Sequence, residues 1–213
     1  MGPYLYEFLQ DFFVNVMDTL DSSFIDITTE FLCVAFHGIL YHTSVYPKSI
    51  FESRRKYNIV VYRSIHPEVN QYIDLCLKQI TECFMNNQIS CVEFAVTDSE
   101  HVPIIKFMFQ FEENRFFDET LDAYMIQAEQ NLRAYCLKLA SMSDNFNDLP
   151  DDSSFSIHIH TNESTAMSLV VNPESEEFPL VEMGEKKQSL QRIIPIRRFS
   201  VRNHFIDTYI EVK

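Results

Sequence analysis

The sequence predicts an α+β chain, three helices packed on one antiparallel sheet. Two observations carry that prediction: apolar residues recur with helical period in three stretches, and between and after them lie short runs in which apolar and polar residues alternate. Elements in this order bury a helix stripe against a sheet face, which is neither a bundle nor a sandwich. With 213 residues, 46% of them apolar and 19 of them Phe, the chain can form one substantial core.

The first strong stripe is Phe24, Ile27, Phe31, Ala35 and Ile39, widened by Leu32 and Val34, which predicts a helix buried on much of its surface. Upstream, residues 4–16 are apolar but interrupted by Glu7, Gln10 and Asp11. They read as a short amphipathic helix in an N-terminal extension (1–22), too short and too charged to span a membrane and lacking the basic flank of a secretory signal. Between Val45 and Ile73 come a turn at Tyr46-Pro47, a basic run (Arg54, Arg55, Lys56), an extended run from Ile59 to Tyr62 and a helix start. Pro67 suits the first helical position, where its missing N–H is harmless. That second helix reaches about Phe84, with Val69, Ile73, Cys76, Leu77, Ile80 and Phe84 on one face, and Asn86-Asn87 ends it.

Residues 89–97 alternate through Val92, Phe94 and Val96, and residues 105–111 through Ile105, Phe107, Phe109 and Phe111. With Asp98 to His101 as turn chemistry they predict an antiparallel hairpin, Pro103 falling at a strand start. A third helix is expected from Asp118, as N-cap, to Met142, with the stripe Leu121, Met125, Ala128, Leu132, Tyr135 and Leu139. Residues 144–152 are an acidic loop. Ser154 to Thr161 then alternates strictly, Phe155, Ile157 and Ile159 against Ser156, His158 and His160, and residues 192–201 and 203–212 have strand composition.

A formal net charge of -14 opposes non-specific adhesion to nucleic acid, so no direct DNA binding is expected and partners are proteins. The five cysteines are an odd number without a CxxC spacing and read as reduced, buried thiols of a cytosolic or nuclear protein. No GxSxG, HExxH or glycine-rich phosphate loop is present, so no enzyme activity and no cofactor are expected. His158 and His160 offer two imidazoles on one strand face, but a protein metal site needs at least three ligands. Surface or hydrogen-bonded histidines, and no metal, are the expectation.

Tyr46-Pro47, Ile50-Phe51, Lys56-Tyr57-Asn58 and His66-Pro67-Glu68 followed by Asn70-Gln71-Tyr72 resemble the HORMA domain and, within it, the accessory-subunit branch of translesion DNA polymerase zeta. The resemblance runs from about Glu30 to Ser141, returns at 154–161, and continues as short anchors at Phe178-Pro179, 192–195 and 209–211. It implies a HORMA domain over residues 23–213 whose C-terminal part, about 162–213, is a safety belt closing over a captured peptide. It further implies a non-catalytic adaptor in the nucleus, and possible cytoplasmic residence. That adaptor traps a proline-containing segment of the polymerase's catalytic subunit and binds the scaffold deoxycytidyl transferase. The implied peptide-binding residues are Tyr57, Tyr72, Phe178, Pro179 and Leu180, the last standing where the family has tryptophan. The implied transferase surface is Ile193, Asp207 and Tyr209, with Asp207 replacing a family glutamine. Arg133 matches an arginine through which HORMA domains pair, although the charged residues that oppose it in relatives are Ser44 and Ser53 here. The alternatives within the resemblance are a cell-cycle regulator that binds activators of the anaphase-promoting complex and a chromosome-axis component.

Overall fold

A computed structural model describes residues 3–86, 88–113, 121–146, 148–161 and 192–212, with side chains described from residue 22 in the first helix and from residue 125 in the third. Helix α1 (Pro3–Thr43) is one uninterrupted helix. This corrects the expectation of a separate short helix at 4–16. Asp21, Ser22 and Ser23 resemble a capping signal before Phe24, but no glycine or proline lies between Pro3 and Gly38 to stop the helix, so it runs through. Its stretch Ser22–Thr43 is long and apolar enough to cross a membrane. In this fold it is the central core helix: Phe31, Leu32, Ala35, Phe36, Ile39 and Leu40 are all buried.

A short 3-10 turn (Lys48–Ile50) leads into β1 (Phe51–Lys56), which pairs with β2 (Ile59–Ser64) as a two-stranded antiparallel hairpin. The basic run Arg54, Arg55 and Lys56 is therefore part of a strand. Tyr57 and Asn58 form the two-residue turn, both with positive φ (49° and 57°), the backbone that matches the twist of paired strands. Helix α2 (Pro67–Met85) begins with His66 extended before it and Pro67 in its first turn, as expected. It buries Val69, Ile73, Cys76, Leu77, Ile80, Cys83 and Phe84.

The main sheet has five strands: β3 (Ile89–Thr97), β4 (Pro103–Glu113), β5 (Ser154–Thr161), β6 (Arg192–Val201) and β7 (His204–Val212). They lie in the order β5-β3-β4-β7-β6, every neighbouring pair antiparallel. Phe94, Val96, Phe107, Phe109, Ile157, Ile206 and Ile210 meet the helices and are buried. Helix α3 (Leu121–Ser141) buries Ala128, Leu132, Tyr135 and Leu139 as its stripe requires. Met125, one turn beyond the last buried residue, is 48% exposed, and Asp118 lies outside the described residues. Phe31 is the hub where the layers meet. Its ring stands edge-on to Phe109 of β4, Tyr135 of α3 and Phe199 of β6, at 6.0, 4.9 and 5.7 Å between centroids.

The topology has one consequence for the site. β5 and β6 are the two opposite edges of the sheet, so the chain between Thr161 and Arg192 leaves at one edge and returns at the other.

Candidate peptide-binding edge and interaction surfaces

Among the described residues β5 pairs with β3 on one side and with no strand on the other, which leaves an outward row of backbone groups. One of these is already taken: the Ile157 amide donates to the Tyr72 hydroxyl at 3.2 Å. Tyr72 reaches this edge because it lies one turn past Glu68, on the margin of the buried face of α2, half-buried between helix and strand. Its ring stands edge-on to Phe155 at 5.4 Å. Phe155 is stacked on Phe94 at 5.2 Å and is met on another side by Tyr46 at 6.1 Å, so three aromatics from the Tyr46-Pro47 turn, α2 and β5 line this edge. Burial, with the adjacent Cys76 adding to it, pushes the Tyr72 phenol up to about 12, so it is neutral and keeps its proton at physiological pH.

Tyr57 is placed elsewhere. At the hairpin tip it is 8% exposed, and its hydroxyl donates to Glu30 Oε1 of α1 at 3.3 Å, while Lys56 Nζ pairs with Glu30 Oε2 at 2.6 Å. Burial raises its phenol strongly, and Glu30 adds to that. Asn58 Nδ2 donates to Glu129 Oε1 of α3 at 3.2 Å, so the tip is fastened to two helices. Tyr57 and Tyr72 share no partner among the contacts described. Phe178, Pro179 and Leu180 lie outside the described residues, as do residues 162–191 of the expected belt.

Ile193, Asp207 and Tyr209 are brought onto one face of the last hairpin. Ile193 lies opposite Glu211 and Tyr209 opposite Pro195, while Ile206, Thr208 and Ile210 alternate to the buried side. Ile193 is 63% exposed. Asp207 is engaged by Arg198 at 3.5 Å, and Arg198 also holds Glu112 at 2.7 Å and lies over the Phe205 ring. Burial, then Glu211, pushes the Tyr209 phenol up to about 12. Arg133 is exposed on α3 together with Ile126 and Leu137, at spacings that put all three on one face.

Sequence reasoning missed the most buried carboxylate on the sheet. Glu93 of β3 is 1% exposed on the face away from the helices. Lys106 of β4 lies 3.1 Å from its Oε1, His158 Nδ1 is 3.2 Å from Oε1, and His160 Nε2 is 3.3 Å from Oε2. The two histidines are thus hydrogen-bonded, and no group of three potential ligands able to hold a metal occurs among the described residues. Burial alone would raise the Glu93 carboxyl, but the bonds from His158 and His160 and the charge of Lys106 outweigh it and hold it well below the usual carboxylate range. The available signal was a Glu and a Lys at outward-facing positions of paired strands.

A second missed contact ties the last hairpin to the helices: Arg197 donates to Asn131 Oδ1 of α3 at 2.8 Å. In the basic run singled out from sequence, Arg54 meets Glu52 at 2.5 Å and Lys56 meets Glu30. The cysteines are free thiols. Burial pushes Cys76 up to about 11 and Cys91 and Cys136 up to about 12, which leaves them un-ionised at neutral pH.

No protein-family model matches the chain. It is 31% identical over 188 residues to the mitotic spindle assembly checkpoint protein MAD2B of Rattus norvegicus, covering 87% of this chain and 89% of that relative. It is 30% identical over 155 residues to DNA polymerase zeta subunit 2 of Drosophila melanogaster, covering 72% and 78%. Among solved structures, a chain of the mitotic checkpoint complex superposes with a TM-score of 0.74 at 17% identity, covering 89% of this chain and 98% of that one. Caenorhabditis elegans HTP-2 bound to the HIM-3 closure motif superposes with 0.62 at 10% identity, covering 87% and 88%. At those identities the superpositions speak for the fold.

Proposed function

The chain belongs to the MAD2B family of HORMA-domain proteins, and from that premise we infer that it is a non-catalytic adaptor of translesion DNA polymerase zeta. It captures a short, proline-containing segment of the catalytic subunit along β5 and offers the face of its last hairpin to the scaffold deoxycytidyl transferase, in the nucleus. The observation that carries the reading is the edge itself: β5 has a strand on one side only among the described residues, beside an aromatic wall of Tyr46, Tyr72 and Phe155. Strand addition there supplies main-chain hydrogen bonds for affinity and aromatic surface for choice. The C-terminal part, about 162–213, acts as the belt, a reading supported by β5 before it and β6 within it lying at opposite edges of the sheet. The family's naming as a mitotic checkpoint protein favours, as a second reading, capture of an anaphase-promoting-complex activator at the same edge.

Loss of an aromatic anchor at an interface hot spot typically costs at least ~2 kcal/mol, about 30-fold in affinity. A folded Tyr72→Ala variant is therefore expected to bind a peptide of the catalytic subunit about 30-fold more weakly in calorimetry. Unchanged affinity and dissociation rate, with an intact melting curve, refute capture at this edge. Co-purification with fragments of the catalytic subunit rather than with a checkpoint activator separates the two readings.

A further inference from the structure

We propose that the Tyr72 hydroxyl keeps the Ile157 amide while a segment is bound. The captured strand then pairs with β5 on both sides of Ile157 and meets a side-chain oxygen, not a backbone amide, at Ile157 itself. The proposal rests on the reading of β5 as the capture edge and adds what that edge demands of its occupant.

Ile157 lies opposite Phe94 in the β3–β5 ladder, and its amide points away from β3 toward Tyr72. In an antiparallel pair the backbone groups alternate in direction, so the amides of Phe155 and Ile159 share that outward orientation and are the ones a new strand can take. An amide has one proton. Once the Tyr72 oxygen accepts it, a carbonyl from an added strand has no claim on it.

The alternative is that the incoming strand displaces the phenol, and the packing opposes this. The Tyr72 ring is set edge-on to Phe155 at 5.4 Å, and Phe155 is stacked within 8° of parallel on Phe94, which is fully buried. Tyr72 is also flanked on its helix by buried Ile73 and Cys76. Swinging the phenol away would break the ring contact and only exchange one acceptor for another on the amide. Kept in place, the hydroxyl accepts from Ile157 and turns its own proton toward the carbonyl of the segment that would otherwise have taken that amide. The segment is thus read by β5 in two short ladders separated by one phenol. Tyr72 is a positioning residue that sets the register between them.

The test uses the full chain, a synthetic peptide spanning the proline-containing segment of the polymerase zeta catalytic subunit, and a Tyr72→Phe variant, which keeps the ring and removes the oxygen. With the phenol retained in the complex, the variant buries the Ile157 amide and a peptide carbonyl without partners, and capture weakens at least about tenfold. In the wild-type complex, amide exchange slows strongly at Phe155 and Ile159 on adding peptide, while the Ile157 amide resonance stays near its unbound position. Equal or tighter binding by Tyr72→Phe, or a large shift of the Ile157 amide resonance in the wild-type complex, would show displacement of the phenol and overturn the proposal while leaving β5 as the edge. Absence of new protection anywhere on β5 would remove the edge, and the proposal with it. The amide measurement on wild-type protein decides the matter even if the variant folds poorly.

Discussion

Glu93 shows what a single side chain can hold in place. Its carboxylate lies on the outward face of β3, taking a lysine from β4 and two imidazoles from β5, so one buried charge ties three strands together. Breaking a buried pair leaves an uncompensated charge, which typically costs about 3–5 kcal/mol. Glu93→Ala is expected toward the lower end, about 3 kcal/mol by denaturant unfolding, because both histidines are about one-third exposed and can turn to water. The pH dependence has a definite sign. Glu93 is held below its ordinary range, so its contribution is present above the unfolded carboxyl value of about 4.3 and is lost as pH falls below that. The wild type should therefore lose more melting temperature than Glu93→Gln between pH 5 and about pH 3; equal acid slopes would show that the carboxylate contributes nothing. Sequence periodicity placed Glu93 correctly on the outward face but could not show its burial, which depends on Lys106, His158 and His160 converging from other strands. Tyr72 was singled out because its neighbours carry the family pattern, whereas its bond to Ile157 was not legible, since that spans 85 positions.

The elements legible in the sequence are those whose own period determines them. α2, β3, β4 and β5 have clean stripes or alternation, and each falls close to its expected bounds. β1 does not alternate: Glu52 to Lys56 are polar throughout, and the strand exists because β2 pairs with it across a turn with two left-handed residues. Asn tolerates that conformation and a β-branched residue does not. Asn58→Val is expected to cost at least about 1 kcal/mol and Asn58→Gly less than about 0.5 kcal/mol, read as urea midpoints; equal effects would mean that the turn is not under this constraint. In the last hairpin, Tyr209 and Ile193 share a face with Asp207, whose charge Arg198 already partners. If that face binds the transferase, Tyr209→Ala reduces binding of the transferase's C-terminal domain at least about tenfold with little change in melting temperature. A fall in melting temperature with binding retained would mark Tyr209 as a packing residue instead.

Over the whole molecule, the layers depend on contacts between distant parts of the chain. β7 completes the sheet on β4, and Arg197 fastens its neighbour strand β6 to α3. Removing residues 176–213 should abolish peptide capture and leave the outer edge of β4 unpaired. The truncated chain is expected to form oligomers visible by light scattering, and a monodisperse monomer that still captures peptide would contradict the closing role of this hairpin. The plan of three helices packed on one antiparallel sheet was legible because it needs only element types in order. The strand order was not, since nothing local says that the last two strands join β4 while β5 joins β3.

That β4·β7 ladder pairs Ile105 with Val212 and Glu113 with His204, so a strand and its partner are separated by about 90 residues of synthesis. At about 5–20 residues per second, roughly 5 to 20 s pass between the emergence of β4 and that of the strand that covers it. The helices and β3, β4 and β5 are all complete within the first 161 residues. During translation, therefore, the nascent sheet has β4 as an uncovered edge where the finished one has β6, and a chaperone or a co-translated subunit meets β4 before β7 does.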